Sequence, residues 1–314
     1  MKRKKLSALL IALLAFVLAF SLAACGGNNA QNAENGENQD AESVENGAEN
    51  AENQDAENIE NDGENSENSD AETQETQVLN VACSAVPHAE ILEQIKETLA
   101  NQGIILNIHV YGDYVVPNTA VDEGSEDANF FQHKPYLDDF NATRGTNLVD
   151  VAGIHVEPMG IYGGRVKALE DLPDGATIAV PNDPTNEGRA LLLLENAGLI
   201  TLKQDAGLEA TPNDIESNPK NISFTELEAA MVPNILSEVD FAVINVNYAL
   251  EAGLNPSEDA LAIESADSPY VNIVVVKAGN ENDPRILALV DALQSDEVRE
   301  FITTSYGGAV VATF

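Results

Sequence analysis

Short apolar runs and amphipathic stretches alternate along the chain from Val78 onwards. The run Val78–Cys83 (VLNVAC) predicts a strand, because it is short and almost wholly apolar. From His88 to Ala100 apolar side chains recur at helical spacing, and Gly103 ends the predicted helix. The segment Ile104–Val110 then alternates as a second strand.

The same succession of strand and helix continues to the C-terminus. The further predicted strands are Leu148–Ala152, Thr177–Val180, Asp240–Asn245 and Asn272–Lys277. The further predicted helices are Lys134–Thr143, Glu187–Ala197, Phe224–Leu236, Pro284–Leu293 and Ser295–Thr303. Strands that alternate with helices predict an α/β fold with parallel sheets and helices on both faces. In such folds a ligand binds at the carboxyl ends of the strands.

The first 25 residues carry a targeting signal. Met1–Lys5 is basic, Leu6–Leu22 is almost wholly apolar, and small residues precede Cys25 in a sequence (LAAC) that resembles the bacterial lipobox. This order is typical of a secretory signal. A transmembrane anchor is the alternative, because the apolar run approaches spanning length. We predict a signal peptide over residues 1–24, lipidation of Cys25, and a lipid-anchored protein on the extracytoplasmic face of the cell membrane.

Residues 25–77 are predicted to be a disordered acidic linker. The segment holds sixteen acidic residues and no basic one, and it lacks the large apolar residues that would offset the entropy of ordering it. A spacer role is the simpler interpretation, and a binding role for the acidic run is the alternative. The formal net charge of the whole chain is −38, which argues against a nucleic-acid partner.

Signatures of catalysis are absent from the sequence. There is no GxSxG elbow, no HExxH, no P-loop and no GxGxxG after a strand, so we predict no enzyme activity and no cofactor. With Cys25 lipidated, Cys83 has no disulfide partner. Dispersed His88, His133 and His155 could bind zinc or manganese with a carboxylate, but they lack tight ligand spacing, and we predict no metal.

Two segments offer groups suited to a small polar ligand. Ala176–Leu194 predicts a strand, a polar loop and a helix with Arg189 in its first turn. A helix start and a guanidinium both favour a carboxylate, although Arg189 on the solvated face of a capped helix is the alternative. Asn129–Tyr136 (NFFQHKPY), with Tyr114, could supply a pocket with apolar walls and polar tips. By alternation, one of its two phenylalanines belongs to the core.

Several motifs occur in a fixed order across the region Val78–Phe314. They are PHAEILE from Pro87, DYVVPN from Asp113, DANFFQHKPYL from Asp127, VEPMGIY from Val156, LPDGATIAVPNDPTNEGRALLLLENAGLI from Leu172, AVINVNYALEAGL from Ala242, SPYVNIVV from Ser268 and SDEVREF from Ser295. Together they closely resemble the methionine-binding lipoprotein family (the NlpA/MetQ family), the substrate-binding components of methionine ABC importers.

The resemblance implies a type II periplasmic-binding-protein-like fold. Two α/β lobes are joined by two crossing strands around a ligand cleft, with the crossings expected near Met159–Arg165 and Asp267–Asn272. Residues 78–160 are then expected to form the first part of lobe 1 and residues 161–268 to form lobe 2. Residues 269–314 are expected to cross back and complete lobe 1.

The resemblance also implies where methionine binds. The implied ligand contacts are Tyr114, Phe131, His133, Arg189, Asn245 and Asn272. Arg189 would pair with the α-carboxylate, and the two asparagines would offer amide groups to the α-ammonium and the carboxylate. The aromatic residues and the histidine would form a wall for the thioether.

The implied function is capture of methionine, most simply L-methionine, and its delivery to an ABC permease that a cytosolic ATPase drives. The protein is expected to act as a monomer. Alternative ligands are D-methionine, a methionine-containing dipeptide or another small ligand such as a metal ion. An adhesin or a surface enzyme that uses the cleft differently is the alternative from another functional class.

Overall fold

Two β-sheets, with helices packed against them, form the frame of the protein in this computed structural model, which describes residues 76–265 and 268–314. The predicted signal peptide, Cys25 and the predicted linker up to residue 75 lie outside the described residues. So does Asp267, at the start of the second predicted crossing. The described residues belong to one compact unit.

Thirteen strands occur in the described residues. They are β1 (Gln77–Cys83), β2 (Ile104–Val110), β3 (Ala128–His133), β4 (Leu148–Val156), β5 (Gly160–Gly163), β6 (Thr177–Pro181), β7 (Thr201–Leu202), β8 (Ile215–Ser217), β9 (Ser223–Leu227), β10 (Phe241–Ile244), β11 (Ala260–Ile263), β12 (Val271–Lys277) and β13 (Val311–Ala312).

Nine α-helices occur in the same residues. They are α1 (Glu90–Gln94), α2 (Lys96–Ala100), α3 (Val116–Glu123), α4 (Lys134–Arg144), α5 (Pro184–Asn196), α6 (Val246–Glu251), α7 (Pro256–Asp259), α8 (Pro284–Leu293) and α9 (Asp296–Tyr306). A π-helical turn covers Ala85–Ala89, and 3₁₀ turns cover Leu169–Asp171, Gly207–Glu209, Pro212–Asp214 and Ala229–Glu238. Between residues 76 and 265 and between 268 and 314, none of the helices is long and apolar enough to span a membrane.

The strand order assigns the chain to two principal sheets. The first has the order β13–β4–β12–β3–β1–β2, and the second has the order β11–β5–β10–β6–β9. The chain passes from the first sheet to the second between β4 and β5, and it returns between β11 and β12. The fold is therefore an α/β structure of two lobes joined by two crossing segments, as predicted. The lobe boundaries given above stay a prediction.

The prediction of purely parallel sheets was wrong. Strand β1 runs parallel to β2 and β3, but β12 runs antiparallel to β3 and β4. In the second sheet β5 runs antiparallel to β10 and β11. A parallel neighbour requires a long crossover within the same sheet, whereas β5 and β12 enter directly from the other sheet. The local pattern of apolar and polar residues does not show that the chain enters each sheet from the other.

The predicted helix Phe224–Leu236 was also wrong. Residues Ser223–Leu227 form β9, which pairs with β6 at the sheet edge, and Ala229–Glu238 forms 3₁₀ turns around Pro233. The pyrrolidine ring prevents a regular α-helix at that point. The predicted helix from His88 is interrupted at Ile95 (φ −99°, ψ 0°). Strand β3 and helices α3 and α6 were not predicted, because each is short or follows a neighbouring element directly.

Candidate functional site

A cavity is lined by residues of strands β3 and β12 of the first sheet, and by residues of helices α5 and α6, which follow strands β6 and β10 of the second sheet. The lining residues are Tyr114, Phe131, Gln132, His133, Tyr136, Glu157, Asn186, Arg189, Asn245, Val246, Asn247 and Asn272. The set combines aromatic rings with carboxamides, one guanidinium and one carboxylate.

All six residues that the sequence indicated as ligand contacts line this one cavity. Strand β3 supplies Phe131 and His133, and strand β12 supplies Asn272. Arg189 lies in helix α5, and Asn245 directly precedes helix α6. Tyr114 lies in the loop after β2. Their binding role stays a proposal, whereas their convergence is a property of the fold.

Aromatic rings form one wall of the cavity. The ring centroid of Tyr114 lies 5.7 Å from that of Phe131 and 5.8 Å from that of Tyr136. Phe131 and Tyr136 meet edge to face at 6.1 Å. Along β3 the side chains alternate, so Phe130 packs into the core of the first sheet, whereas Phe131 faces the cavity. This wall is suited to an apolar or thioether side chain.

Hydrogen bonds fix the tautomer of His133. Its Nδ1 accepts the backbone N–H of Tyr136 at 3.2 Å, so the proton resides on Nε2, which lies 3.3 Å from Asn186 Oδ1. Burial, and after it the charge of Arg189, lower the pKa of His133 to about 3. His133 therefore enters the cavity wall as a neutral ring.

A pH effect on stability follows from this burial. The unfolded chain takes up a proton on histidine below about pH 6.5, whereas folded His133 does not until about pH 3, so its share of the stability is lost as the pH falls. Between pH 8 and pH 5 we expect the free energy of unfolding to fall in both proteins. The fall should be about 2 kcal/mol smaller in His133→Asn than in the wild type. Urea titrations at both pH values measure this difference.

Equal pH dependence of His133→Asn and the wild type would contradict a neutral, buried His133.

A chain of amide groups presents an acceptor to the cavity. Both carboxylate oxygens of Asp183 accept hydrogen bonds from Asn186 Nδ2, at 2.9 and 3.1 Å. Asn186 Oδ1 consequently faces Asn245 and accepts its Nδ2–H at 2.9 Å. Asn245 Oδ1 is buried and has no hydrogen-bond partner among the described residues. Buried polar atoms are rarely left unpaired, so this oxygen indicates a place for a ligand donor.

The anion site predicted at the start of helix α5 is occupied by the protein itself. The helix begins at Pro184 rather than Glu187, and the Asp183 carboxylate caps it by accepting the backbone N–H of Asn186 at 3.0 Å. Arg189 accordingly lies in the second helical turn, not the first. It is 3% exposed, which excludes the alternative that it lies on a solvated face.

Tyr114 orients a second carboxamide. Its hydroxyl donates to Asn247 Oδ1 at 2.6 Å, which directs Asn247 Nδ2 elsewhere. That Nδ2 is buried and has no partner among the described residues. Because Asn247 lines the cavity, its unpaired N–H group is a candidate donor to a ligand carboxylate.

Removal of the Tyr114 hydroxyl tests this orientation. In Tyr114→Phe the Asn247 carboxamide loses the hydrogen bond that fixes it, and we expect methionine to bind about fivefold more weakly, or about 1 kcal/mol. Calorimetric titration measures the change. The matched control is Tyr111→Phe, which removes a hydroxyl bonded to Glu126 at 2.8 Å outside the cavity and should leave the affinity unchanged. Equal affinities of Tyr114→Phe and the wild type would contradict this role of Tyr114.

Arg189 is held by partners within the protein. Its Nε and Nη2 donate to the Glu264 carboxylate at 2.6–3.0 Å, and Nη2 also donates to the Glu157 backbone carbonyl at 2.7 Å. The guanidinium carbon lies 4.3 Å from the ring centroid of Tyr270. The sequence predicted the whole fork for a ligand carboxylate. Among the described residues no hydrogen bond uses Nη1, which leaves that nitrogen for the ligand.

Three of the described residues are close enough to share a metal ion: His88, His155 and Glu157. Glu157 Oε1 bonds with His155 Nε2 at 2.7 Å and lies 3.3 Å from His88 Nε2, which bonds with Asn272 Oδ1 at 3.0 Å, so hydrogen bonds hold both rings near the carboxylate. His133, the third histidine of the metal hypothesis, does not belong to this group but contacts Asn186. The three residues are therefore interpreted as a hydrogen-bonded cluster.

Sequence reasoning missed several cavity residues. Glu157, Asn186 and Asn247 each lie within three residues of a predicted contact or within the motifs that carried the resemblance. Glu264, which neutralises Arg189, lies in no recognised motif. The sequence gives no local signal for a pair of residues separated by 75 positions.

Comparison with known proteins gives consistent matches over the described region. The NlpA lipoprotein family matches residues 79–314. The methionine-binding lipoprotein MetQ of Bacillus subtilis is 43% identical over 238 residues, which cover 74% of this chain and 86% of that protein. The D-methionine-binding lipoprotein MetQ of Salmonella typhimurium is 43% identical over 225 residues, which cover 71% of this chain and 82% of that protein.

A solved structure has the same fold. The nutrient binding protein from Burkholderia cenocepacia, whose structure was determined bound to methionine, superposes with a TM-score of 0.72. It is 46% identical in sequence, and the match covers 75% of this chain and 100% of that one.

Proposed function

The chain belongs to the NlpA lipoprotein family, and from that premise we propose that it is the extracytoplasmic substrate-binding lipoprotein of an ABC importer that captures methionine. The ligand would bind in the cavity between Phe131 and Arg189 without chemical conversion. The observation that carries the proposal is the composition of this cavity, in which an aromatic wall faces two unpaired carboxamide atoms and a buried guanidinium.

The unpaired atoms match the polar groups of an amino acid. Asn245 Oδ1 can accept a hydrogen bond from the α-ammonium, while Asn247 Nδ2 and Arg189 Nη1 can donate to the α-carboxylate. The rings of Tyr114 and Phe131 would contact the thioether. The bound ligand would contact residues of the first sheet and of the helices that follow β6 and β10 of the second, so binding would favour a closed arrangement of the two lobes.

The proposed partners follow from this role. We propose that the protein acts as a monomer, lipid-anchored through Cys25 on the extracytoplasmic face of the membrane. Its loaded form would dock on a permease that a cytosolic ATPase drives. These partners and the anchor are tested by isolating the protein from membranes with and without its permease, and by mass analysis of the N-terminal peptide.

The ligand is identified by two measurements. Mass spectrometry of small molecules released from the denatured purified protein should detect methionine. Calorimetry with the refolded, ligand-free protein should give binding with L-methionine. D-methionine, Gly-Met and zinc are titrated in parallel, because relatives differ in the stereochemistry that their names state. Absence of heat with every methionine compound would reject the proposal.

A further inference from the structure

Glu157, a buried carboxylate of the cavity wall, has no lysine or arginine as an ion-pair partner among the described residues. Glu157 lines the cavity, its side chain is 6% exposed, and no lysine or arginine of the described residues forms an ion pair with it. We propose that Glu157 determines the specificity of the cavity for a ligand that carries an ammonium group. This inference rests on the methionine capture proposed above and adds the residue that recognises the cationic part of the ligand.

The groups that hold the carboxylate are neutral donors. Glu157 Oε1 lies 2.7 Å from His155 Nε2 and 3.3 Å from His88 Nε2, and Oε2 accepts the backbone N–H of Asn247 at 3.1 Å. Burial lowers the pKa of His88 to about 4 and that of His155 to about 3. Neutral rings stabilise the carboxylate by hydrogen bonding but do not cancel its charge.

The Nδ1 atoms of His88 and His155 also indicate that both rings are neutral. His88 Nδ1 and His155 Nδ1 are buried and have no hydrogen-bond partner among the described residues. With the proton on Nε2, each Nδ1 carries only an unpaired lone pair. An imidazolium would instead leave a buried N–H without an acceptor and a buried charge, which costs more. The geometry therefore favours two neutral rings, of which His155 donates to Glu157, whereas His88 bonds with Asn272 Oδ1 and lies beside the carboxylate.

Arg189 forms its ion pair with Glu264 and none with Glu157. The guanidinium and Glu264 form a buried pair with Nη2–Oε2 at 2.6 Å, and Arg189 reaches Glu157 only through the backbone carbonyl. The other nearby carboxylate, Asp183, bonds with Asn186 and Thr185 and does not line the cavity. Among the described residues no lysine or arginine therefore pairs directly with the Glu157 carboxylate, which leaves it available to a ligand ammonium.

His88 also couples this carboxylate to the carboxamides of the cavity. Its Nε2 lies 3.0 Å from Asn272 Oδ1, and a proton on Nε2 makes that oxygen the acceptor. Asn272 then presents its Nδ2–H groups to the ligand as donors. Asn245 Oδ1 remains the one unpaired carboxamide acceptor that the described cavity residues present, so a carboxylate is needed to satisfy an ammonium with three N–H donors.

The ionisation of Glu157 is expected to respond to the ligand. Burial raises the pKa of Glu157, while the neighbouring His88 and Arg189 and the hydrogen bond from Asn247 act to lower it. The titratable groups around it are His88 before α1, His155 on β4, Arg189 on α5, Tyr114 after β2 and Tyr306 at the end of α9. A ligand ammonium favours the ionised carboxylate, so binding should release a proton from Glu157 in mildly acidic solution.

The decisive experiment compares two ligands on two variants. Methionine and 4-(methylthio)butanoate, which lacks only the amino group, are titrated by calorimetry into ligand-free wild type, Glu157→Gln and Glu126→Gln. Glu126 is the matched control, because it is a buried carboxylate bonded to a histidine and a tyrosine outside the cavity. We expect the ratio of methionine affinity to analogue affinity to fall at least tenfold in Glu157→Gln and to stay unchanged in Glu126→Gln.

The outcomes separate the proposals. A merely structural Glu157 would weaken both ligands alike and leave the ratio unchanged, which would overturn the inference while methionine capture stood. If the wild type bound no methionine, the proposed function would fail, and the inference would fall with it.

If Glu157→Gln does not fold, the inference is tested with the wild type alone. Methionine and the analogue are each titrated at pH 5.5 in two buffers of different ionisation enthalpy. Methionine binding should release a fraction of a proton, and analogue binding should release none. Equal proton release with the two ligands would overturn the inference.

Discussion

Replacing Arg189 with alanine is expected to weaken methionine binding roughly a hundredfold, which corresponds to about 3 kcal/mol. The variant removes the Nη1 donor proposed for the ligand carboxylate. It also leaves the side chain of Glu264, which is only 13% exposed, without its cationic partner. A negative charge then faces the incoming carboxylate, so repulsion adds to the lost hydrogen bond. Calorimetric titration of the ligand-free variant measures the effect.

The same substitution should lower stability. Breaking a buried ion pair from one side costs about 3–5 kcal/mol, because the remaining charge stays desolvated. The double variant Arg189→Met with Glu264→Gln removes both charges and should recover most of that loss while it still binds methionine poorly. Arg165→Ala is the control, since Arg165 pairs with Asp240 at 2.9 Å and its side chain is 52% exposed. Wild-type affinity in Arg189→Ala would contradict the proposed site.

Substitution of Gly188 by alanine is expected to destabilise the protein by about 3 kcal/mol. A Cβ at this position would lie 2.2 Å from the backbone oxygen of Leu208 and 2.8 Å from the backbone nitrogen of Ala210. Both atoms belong to the main chain, so no side-chain rotation relieves the overlap. Helix α5 would have to move away from the 3₁₀ turn Gly207–Glu209, and Arg189 would move with it.

This result would reverse the ordinary rule for helices. In an open helix interior, alanine is about 1 kcal/mol more favourable than glycine. Urea unfolding of Gly188→Ala is compared with that of Gly112→Ala, where a Cβ meets no atom within 4 Å. Gly112→Ala should unfold close to the wild-type midpoint. A stabilised Gly188→Ala would show that α5 and the turn do not pack as closely as described.

The pattern of apolar positions was a good guide where an element is long and its neighbours are local. Strands β1, β2 and β12 and helices α8 and α9 lie within a few residues of their predicted bounds. The pattern failed at residues 224–236, because β9 is recruited by the edge of β6 and Pro233 limits the following segment to 3₁₀ turns. Contact with a neighbouring strand decided that segment, and its own propensity did not.

At the candidate site, too, the sequence indicated some features and only the structure showed the others. The resemblance indicated six contacts, and the fold brings all of them to one cavity. It did not indicate that Asp183 caps its own helix or that Glu264 occupies two nitrogens of Arg189. Those contacts determine which polar atoms stay unpaired, and therefore which atoms a ligand can meet.

The sequence by itself determined the types of most elements, and its motifs indicated the family and six of the residues that line the cavity. The element types follow from local periodicity, which acts over a few consecutive positions, whereas the six residues rest on the family resemblance; the export signal and the lipid anchor stay predictions. The tertiary structure alone decided the mixed strand order, the tautomer of His133 and the lack of a lysine or arginine partner for Glu157 among the described residues. Each depends on groups that are distant in sequence or are brought together by neighbouring elements, so the direction of a hydrogen bond and the balance of charge exist only once the chain path is set.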